Sequence, residues 1–508
     1  MASDTERCIF RAFGQDFILN KHFHLTSKIG RGSHGLICSS TYSEASEETT
    51  VAIKKIPNVF ANKQSCKRTL RELKLLRHLR GHPNIVWLFD TDIVFYPNGA
   101  LNGVYLYEEL MECDLYQILR SGQQLEDSHF QSFIYQILCA LKYIHSADVL
   151  HCDLKPKNLL VNSDCQLKIC NFGLSCSYSE NHEENNRFIT SRIASMWYRA
   201  PEILLSYREY TKAVDIWSTG CILAELLGRK PIFDGKDYVD QLNHILQVLG
   251  TPSEETLQEI ASQKVHNYIL QFGNIPGTSF ENILPRANPE ALALLKKMLE
   301  FDPKLRITVD EALEHPYLSV WHDIDDEPSC EKTFRFEFER IENMVELGNQ
   351  VIKEVFDFRE VVRKHPVSGD FSSSSPSSED AIPQEVVEVH RSRNVLPSYN
   401  PENSDVNQLP SLTTAHSYQN FLKISANSFQ GVNEKGDTFE RDTRHKSREL
   451  VDRVTESNKA EMGSASSSPP GHDTDFNNDT NQSANEDDSV FILDLERELE
   501  FSLESKFL

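Results

Sequence analysis

The stretch that decides the fold is His151-Cys152-Asp153-Leu154-Lys155-Pro156-Lys157-Asn158. Three short motifs follow it along the chain: Asn171-Phe172-Gly173, Ala200-Pro201-Glu202 and Asp215-Ile216-Trp217-Ser218-Thr219-Gly220. Each motif alone occurs often by chance. Their order and spacing together carry information that none of them carries alone, and the segments upstream add to it.

A glycine-rich segment lies upstream of these motifs. Gly30, Gly32 and Gly35 form the pattern G-x-G-x-x-G, and Ile37 follows two residues later. Glycines in this pattern also mark tight hairpins, and a dinucleotide-binding fold would need a helix directly after them. Strand-like sequence follows instead, which favours a hairpin that lies over phosphate groups.

A lysine closes the next apolar strand, in Val51-Ala52-Ile53-Lys54. A lysine beside a glycine-rich loop suits the binding of α- and β-phosphates, although an ordinary lysine at a strand end gives the same pattern. Glu72 lies on the helix that follows. A buried pair with Glu72 would fix the orientation of Lys54, whereas a lone glutamate on a helix is usually solvated.

Taken together, these motifs resemble the protein-kinase set, and the resemblance narrows to the MAP kinases. Leu110–Leu115 looks like their hinge, and Trp197–Glu202 looks like their substrate-pocket run. The resemblance covers about residues 20–360 and is nearest to the fungal cell-wall-integrity MAP kinase and its catalytically degenerate paralogue. It implies an α+β, bilobal protein-kinase fold with a small β-rich N-lobe and a larger α-helical C-lobe.

The resemblance also implies roles for the matching residues. The catalytic set would be Lys54, Glu72, Asp153 and Lys155, and Mg2+ would be held by Asn158 and Asn171. Arg306 would be the partner of Glu202. ATP would be bound by residues of the glycine-rich loop, the strand lysine and the hinge: Ile29, Gly30, Gly32, Gly35, Ile37, Lys54, Glu109, Met111 and Asp114.

An acidic turn resembles the common docking site of MAP kinases, with Asp323 and Asp326 at its two key aspartates. The alternative is a solvated turn. The implied partners are an upstream MAP-kinase kinase and proteins with basic docking motifs, such as transcription regulators or phosphatases.

Four positions depart from the family pattern. Asn171 stands where kinases have the magnesium-binding aspartate, so an oxygen ligand is kept but its charge is lost. Cys152 replaces the arginine that precedes the catalytic aspartate, and Met196 replaces another arginine. The activation loop has Thr190-Ser191-Arg192 where MAP kinases have Thr-x-Tyr. Two interpretations stay open: a pseudokinase that binds ATP with weak or partial use of Mg2+ and acts through docking, or a weakly active serine/threonine kinase for Ser/Thr-Pro sites.

The organisation of the chain follows from periodicity and composition. The expected strands are Phe23–Ile29, Gly35–Tyr42, Thr50–Ile56, Ile85–Asp90 and Val104–Glu108, and the expected helices are Ser65–Leu79, Phe130–His145 and Asp215–Leu227. Hydrophobic residues make up only 39% of the 508, and residues 366–508 carry 26 acidic against 12 basic residues. Low hydrophobicity with net charge predicts disorder. The predicted divisions are an N-terminal segment (1–22), a kinase domain (23–318, with lobes 23–110 and 111–318), a C-terminal extension with the docking site (319–365), a disordered tail (366–488) and an amphipathic helix (489–508).

Charge and cysteine content restrict the partners and the compartment. The net charge of −24 argues against direct contact with nucleic acid or an anionic membrane surface. Eleven scattered cysteines suit a reducing compartment better than a disulfide framework. With a polar start and no long apolar run, the chain is expected to be soluble, in the cytoplasm and nucleus.

Overall fold

A computed structural model describes residues 7–32, 35–44, 47–178, 196–205 and 211–364. The strands are β1 (Arg7–Ala12), β2 (Gln15–Asn20), β3 (Phe23–Gly32), β4 (Gly35–Glu44), β5 (Glu47–Ile56), β6 (Leu88–Phe95), β7 (Leu101–Glu109), β8 (Cys113–Asp114), β9 (Val149–Leu150), β10 (Leu159–Val161), β11 (Leu167–Ile169) and β12 (Cys176–Ser177). The helices are α1 (Lys63–His78), α2 (Leu115–Arg120), α3 (Asp127–Ser146), α4 (Pro201–Leu204), α5 (Ala213–Gly228), α6 (Tyr238–Leu249), α7 (Glu254–Ile260), α8 (Gln263–Gln271), α9 (Phe280–Ile283), α10 (Pro289–Met298), α11 (Val309–Leu313) and α12 (Met344–Lys364).

The described residues divide into two compact units. The first unit takes its residues from Met1–Asp114, Leu160–Gly173 and the segment that begins at Arg335. The second unit takes its residues from Leu115–Leu159 and Leu174–Phe334. A β-rich first unit and a helical second unit confirm the predicted fold class.

A five-stranded antiparallel sheet forms the frame of the first unit, in the order β3-β4-β5-β7-β6. Its apolar face buries residues such as Ile53 and Leu106. Helix α1 supplies Leu70 and Leu73 to the same core. Asn62 begins this helix, because its side chain accepts a hydrogen bond from the Ser65 backbone N–H at 2.8 Å.

One predicted strand is displaced. Ile85–Asp90 was expected to be a strand, but β6 begins at Leu88 and continues to Phe95. The backbone around Ile85 pairs with Ile169 instead, through Val86 N–H to Ile169 O at 3.0 Å and Ile169 N–H to Asn84 O at 2.8 Å. This segment is apolar and β-prone, so the sequence pattern is the same for either partner.

The predicted N-terminal segment, residues 1–22, contains a hairpin that the sequence analysis did not identify. Strands β1 and β2 pair in antiparallel register from Arg7↔Asn20 to Ala12↔Gln15. Phe13 and Gly14 form the turn, with φ of 53° and 76°. Two consecutive positive φ values are the mark of a type I′ hairpin turn. The usual sequence signal, Asn-Gly or Asp-Gly, is absent here.

Residues after Arg335 complete the first unit rather than the second. Helix α12 packs against α1 and β6. Three groups of ion pairs fasten this segment: Arg71 to Glu339 at 2.6 Å, Lys74 to Glu354 at 2.9 Å and Arg359 to Asp92 at 2.7 Å. The predicted extension 319–365 therefore contributes to both units, with the acidic turn in the second and α12 in the first.

The second unit is built on α3 and α5, which pack against each other. Both predicted helices are found and are slightly longer than expected: α3 runs from Asp127 to Ser146 and α5 from Ala213 to Gly228. Trp217 of α5 stacks on Phe233, with ring centroids 5.7 Å apart. None of the helices in the described residues has the length and apolarity needed to cross a bilayer. The predicted disordered tail and C-terminal helix lie outside the described residues.

Candidate active site

The glycine-rich segment is a hairpin, as predicted. Strands β3 and β4 pair with Gly30 opposite Ile37 and Gly32 opposite Gly35. Gly35 has a φ of 148°, and a Cβ at this position would lie 2.8 Å from the backbone oxygen of Lys55. Any side chain would push the hairpin away from β5, so the close approach of the two strands requires glycine.

Lys54 and Glu72 form the predicted ion pair. Lys54 is on β5 and Glu72 is on α1, and both side chains are almost completely buried. Burial lowers the pKa of Lys54, but the carboxylates of Glu72 and Glu108 outweigh this and the pKa is raised overall. The ammonium group is therefore held charged and in a fixed position, which the predicted role of Lys54 as a phosphate anchor requires.

A second carboxyl group, that of Glu108, also interacts electrostatically with Lys54. It lies on β7, and burial raises its pKa to about 7, although Lys54 acts in the opposite direction. The sequence analysis placed Glu108 at the end of a strand and assigned it no role. A charged residue that ends an otherwise apolar strand was the available signal.

The hinge residues also lie in the first unit. The Glu109 backbone N–H donates to Trp87 O at 3.0 Å, and its carboxylate pairs with Lys168 at 2.8 Å. Met111 is buried, and Asp114 pairs with Leu160 in the small sheet β11-β10-β8. The backbone groups proposed to bind adenine remain a prediction, as does the contact of Ile29, which is 42% exposed.

The catalytic loop belongs to the second unit and brings three predicted residues together. The Lys155 ammonium lies 2.8 Å from both carboxylate oxygens of Asp153. Asn158 Nδ2 donates to the Asp153 backbone oxygen at 2.6 Å and to its Oδ2 at 2.9 Å. Asp153 is buried, and its carboxylate is held between the Lys155 ammonium and the Asn158 amide. This arrangement can orient a hydroxyl group and accept its proton.

The buried Asp215 fixes the backbone of the loop that carries Asp153. Its carboxylate accepts the backbone N–H of His151 at 2.8 Å and that of Cys152 at 2.9 Å, and it lies 2.9 Å from His145 Nε2. Burial raises the pKa of Asp215, but the hydrogen bonds and charges of His145 and His151 outweigh it and lower the pKa overall. The sequence analysis quoted Asp215 within a motif without this role.

Cys152 follows His151 in the left-handed region, with a φ of 62°. Its place in the loop is set by the Asp215 hydrogen bond to its backbone, which any residue can make. Its Sγ atom lies 2.9 Å from Cys176 Sγ. The replacement of arginine by cysteine therefore keeps the loop shape and removes a charge.

The two metal candidates offer amide oxygens. Asn158 donates from Nδ2 to Asp153, and its Oδ1 is the kind of oxygen that a hard cation takes as a ligand. Asn171 lies in the first unit with a φ of 69°, a conformation that Asn and Asp adopt more readily than other side chains. In the described ranges no group of three or more His, Cys, Asp or Glu residues is placed to hold a metal ion. The donors fit Mg2+ in kind, but they lack charge.

The acidic turn is a short 3-10 helix, Ile324–Asp326. Asp323 begins it and accepts the Asp325 backbone N–H at 3.2 Å. Asp326 is only 6% exposed, whereas Asp325 is exposed. Of the two predicted docking aspartates, Asp323 is therefore partly accessible and Asp326 is buried.

The predicted activation-loop residues Thr190, Ser191 and Arg192 lie outside the described residues. Met196 starts the next described segment, in a 3-10 helix that ends at Tyr198. Beyond it, Glu202 and Arg306 form the expected pair, with contacts of 2.6 Å and 3.0 Å and both side chains fully buried.

Known proteins are similar to this chain over most of its described length. A protein kinase domain model matches residues 23–318. The serine/threonine-protein kinase KDX1 of Saccharomyces cerevisiae is 83% identical over 433 residues, which are 85% of this chain and 100% of the relative. The mitogen-activated protein kinase SLT2/MPK1 of the same organism is 64% identical over 364 residues, 72% of this chain and 75% of the relative. The mitogen-activated protein kinase mpkA of Aspergillus fumigatus is 56% identical over 358 residues, 70% and 84% of the two chains.

The fold and these similarities define a protein kinase. Within that class, the chain belongs to the MAP kinase family.

Proposed function

We propose that this chain is a signalling protein of a cell-wall-integrity or stress-type MAP kinase cascade that binds ATP but transfers phosphate poorly, and that it acts through docking. The observation that carries the proposal is a contrast between charges. The buried Lys54–Glu72 pair beside the Gly35 hairpin is kept, while Asn171 and Cys152 are neutral where the family has charged residues. Nucleotide binding depends on the first pair, and phosphoryl transfer depends on all four.

The expected loss of rate follows from electrostatics. ATP with Mg2+ supplies the phosphoryl group in protein kinases, and the protein contributes positioning and charge. Lys54 would hold phosphate oxygens, and Asp153 would orient the substrate hydroxyl and accept its proton. Asn171 and Asn158 would offer oxygen atoms without charge. Removal of one such electrostatic contact costs on the order of 10²–10³ in rate.

A weakly active serine/threonine kinase is the second candidate function. The observation in its favour is the geometry around Asp153, where Lys155 and Asn158 hold the carboxylate at 2.8–2.9 Å. A protein that used this loop only as a scaffold would have no need of a base oriented in this way. Ser/Thr-Pro substrates would follow from the resemblance to MAP kinases.

Docking is the activity that would survive the loss of catalysis. The acidic turn at Asp323 suits Lys/Arg-rich motifs of an upstream MAP-kinase kinase, transcription regulators or phosphatases, because opposite charge gives specificity and fast association. The net charge of −24 is in keeping with such partners. A location in both the cytoplasm and the nucleus is part of the proposal.

Thermal unfolding with and without ATP tests nucleotide binding. A ligand that binds only the folded state stabilises it by RT ln(1 + [L]/Kd), about 2.7 kcal/mol at 100 times Kd. We expect ATP to raise the Tm of the wild type, with little added by Mg2+. Lys54→Met should abolish the shift, and Lys63→Met, an exposed lysine on the same unit, should leave it unchanged. If millimolar ATP gives no shift, the nucleotide-binding part of the proposal is wrong.

A radiolabelled phosphotransfer assay on purified protein separates the two candidates. Asp153→Asn is the matched control, because it removes the base and keeps its shape. Incorporation that the control abolishes favours the weakly active kinase. Incorporation at the same background level in both proteins favours the pseudokinase.

A further inference from the structure

Two cysteines of the second unit are in unusually close contact. Cys152 Sγ and Cys176 Sγ lie 2.9 Å apart. A disulfide bond has an S–S length of about 2.03–2.05 Å, so the two atoms need to approach by about 0.9 Å to form one.

Local structure holds both residues in place. Strands β9 and β12 are antiparallel, with Cys176 opposite Leu150 and Ser177 opposite Val149. Cys152 follows β9 by two residues, and its backbone N–H is bound to Asp215 Oδ1 at 2.9 Å. The two sulfur atoms are therefore brought together by a sheet and a buried carboxylate. They do not depend on a mobile loop for their proximity.

Exposure differs between the two cysteines in the way that a redox pair requires. Cys152 is partly exposed and lines a cleft of the second unit together with Asp153, Tyr198 and Arg199. Cys176 is only 4% exposed. A small oxidant can reach Cys152 from the cleft. The buried Cys176 is the thiol placed to resolve the oxidised form of Cys152.

We propose that Cys152 and Cys176 are a peroxide-sensitive dithiol that closes reversibly to a disulfide next to Asp153. The Cys152 sulfur attacks one oxygen of hydrogen peroxide, the O–O bond breaks, and a sulfenic acid and one water molecule form. The Cys176 sulfur then attacks the sulfenic sulfur, the S–O bond breaks, and the thiol proton leaves with the hydroxyl group as a second water molecule. Two electrons pass from the two sulfurs to the peroxide, and a dithiol reductant returns them.

The position of the Cys152–Cys176 disulfide connects oxidation to the loop that carries Asp153. Cys152 is the residue before Asp153, and Cys176 is on β12, so the disulfide joins the catalytic loop to that strand. An arginine at position 152 would exclude this chemistry. The replacement that removes a phosphate-binding charge from the loop would thus add an oxidant-sensitive link in the same place.

Peptide mapping of the full chain tests the proposal. Reduced protein is treated with hydrogen peroxide, alkylated and digested without reductant. We expect most of the folded protein to yield a peptide that joins Cys152 to Cys176 within one chain, and dithiothreitol to remove it. Cys330→Ala is the matched control, since Cys330 is also partly exposed in the same unit, and it should leave the yield unchanged.

Two further measurements make the test decisive. In Cys176→Ala, peroxide should carry Cys152 on to sulfinic acid, because the resolving thiol is gone. The linked peptide should fall severalfold when the wild type is oxidised in concentrated urea, because the strands no longer align the sulfurs. Equal yields in the folded and unfolded chain, or sulfinic acid at Cys152 of the wild type without any linked peptide, would overturn the proposal.

Discussion

Each unit contains a buried ion pair, and the two pairs differ in how completely the surrounding groups neutralise and bind them. In the second unit, Glu202 and Arg306 are fully buried, and the arginine also donates to three backbone oxygens, those of Glu300, Ala213 and Phe301. In the first unit, Lys54 pairs with Glu72 while Glu108, with a pKa near 7, acts on it as well. In the Glu202–Arg306 pair every donor of the guanidinium group is used within the protein, and the pair serves the fold. The Lys54–Glu72 pair remains sensitive to a change of charge at Glu108, as a site for an anionic ligand should be.

Cys152 extends this contrast to the catalytic loop. Asp215 holds the backbone of His151 and Cys152, so the loop keeps its shape through hydrogen bonds that do not involve the side chain at position 152. Loss of an arginine there removes charge without removing structure. The shape of this loop and its charge are therefore maintained by separate groups and can be lost separately.

The largest effect is expected when the Glu202–Arg306 ion pair is broken. Arg306→Met should lower the free energy of unfolding by about 3–5 kcal/mol, because it leaves Glu202 as an uncompensated buried charge. Lys304→Met, which removes an exposed ion pair with Glu259 close by, should cost under about 1 kcal/mol. Urea unfolding measures both. A loss no larger for Arg306→Met than for Lys304→Met would show that the pair does not serve the fold.

Restoring the missing charges tests whether the loop lacks only charge. Asn171→Asp alone should give little phosphotransfer, and the quadruple variant that adds Cys152→Arg, Arg192→Tyr and Met196→Arg should gain about 10²–10³ in rate. The gains should be non-additive, because activity needs both the metal site and an ordered loop. Both proteins are treated with an activating MAP-kinase kinase and assayed on a Ser/Thr-Pro substrate. Equal rates would mean that the loop changes are neutral.

The charge sensitivity of the first unit should appear as a dependence of stability on pH. The pKa of Glu108 is about 7 in the folded chain against an ordinary value of 4.5. Between these values the folded state binds the extra proton, so stability falls as the pH rises from 4.5 to 7. Glu108→Gln should remove this slope and be on the order of 2–3 kcal/mol more stable than the wild type at pH 8, with little difference at pH 4.5. Glu48→Gln, at an exposed position of the same sheet, should keep the wild-type slope.

The smallest effect is expected at the acidic turn. Asp323→Asn with Asp325→Asn should weaken the capture of Lys/Arg-rich peptides by about 1 kcal/mol at low salt, because exposed charges are screened by solvent. Asp326→Asn, at the buried position, should instead lower the Tm. Fluorescence titration with a basic peptide separates the two. Unchanged binding in the double variant would indicate that the turn is only solvated.

Much of the site could be predicted from sequence, because its parts are short segments with fixed internal spacing. Asp153, Lys155 and Asn158 meet because they share one loop, and Gly30 to Gly35 form one hairpin. Glu72 was predicted to meet Lys54 because both occupy familiar positions in the motif set. Asp326 shows the opposite case, since a run of acidic residues gives no sign of which one turns inwards.

The sequence by itself determined the family, the succession of a β-rich part and a helical part, and the residues from which charge is missing, because these depend on local pattern and on motifs in a fixed order. The tertiary structure decided which strand Ile85 joins, where α12 packs, how far the pKa of Glu108 rises and that the sulfurs of Cys152 and Cys176 meet. Each of these depends on groups far apart in the chain. Burial, desolvation and contact between side chains exist only once the segments that supply them have packed together.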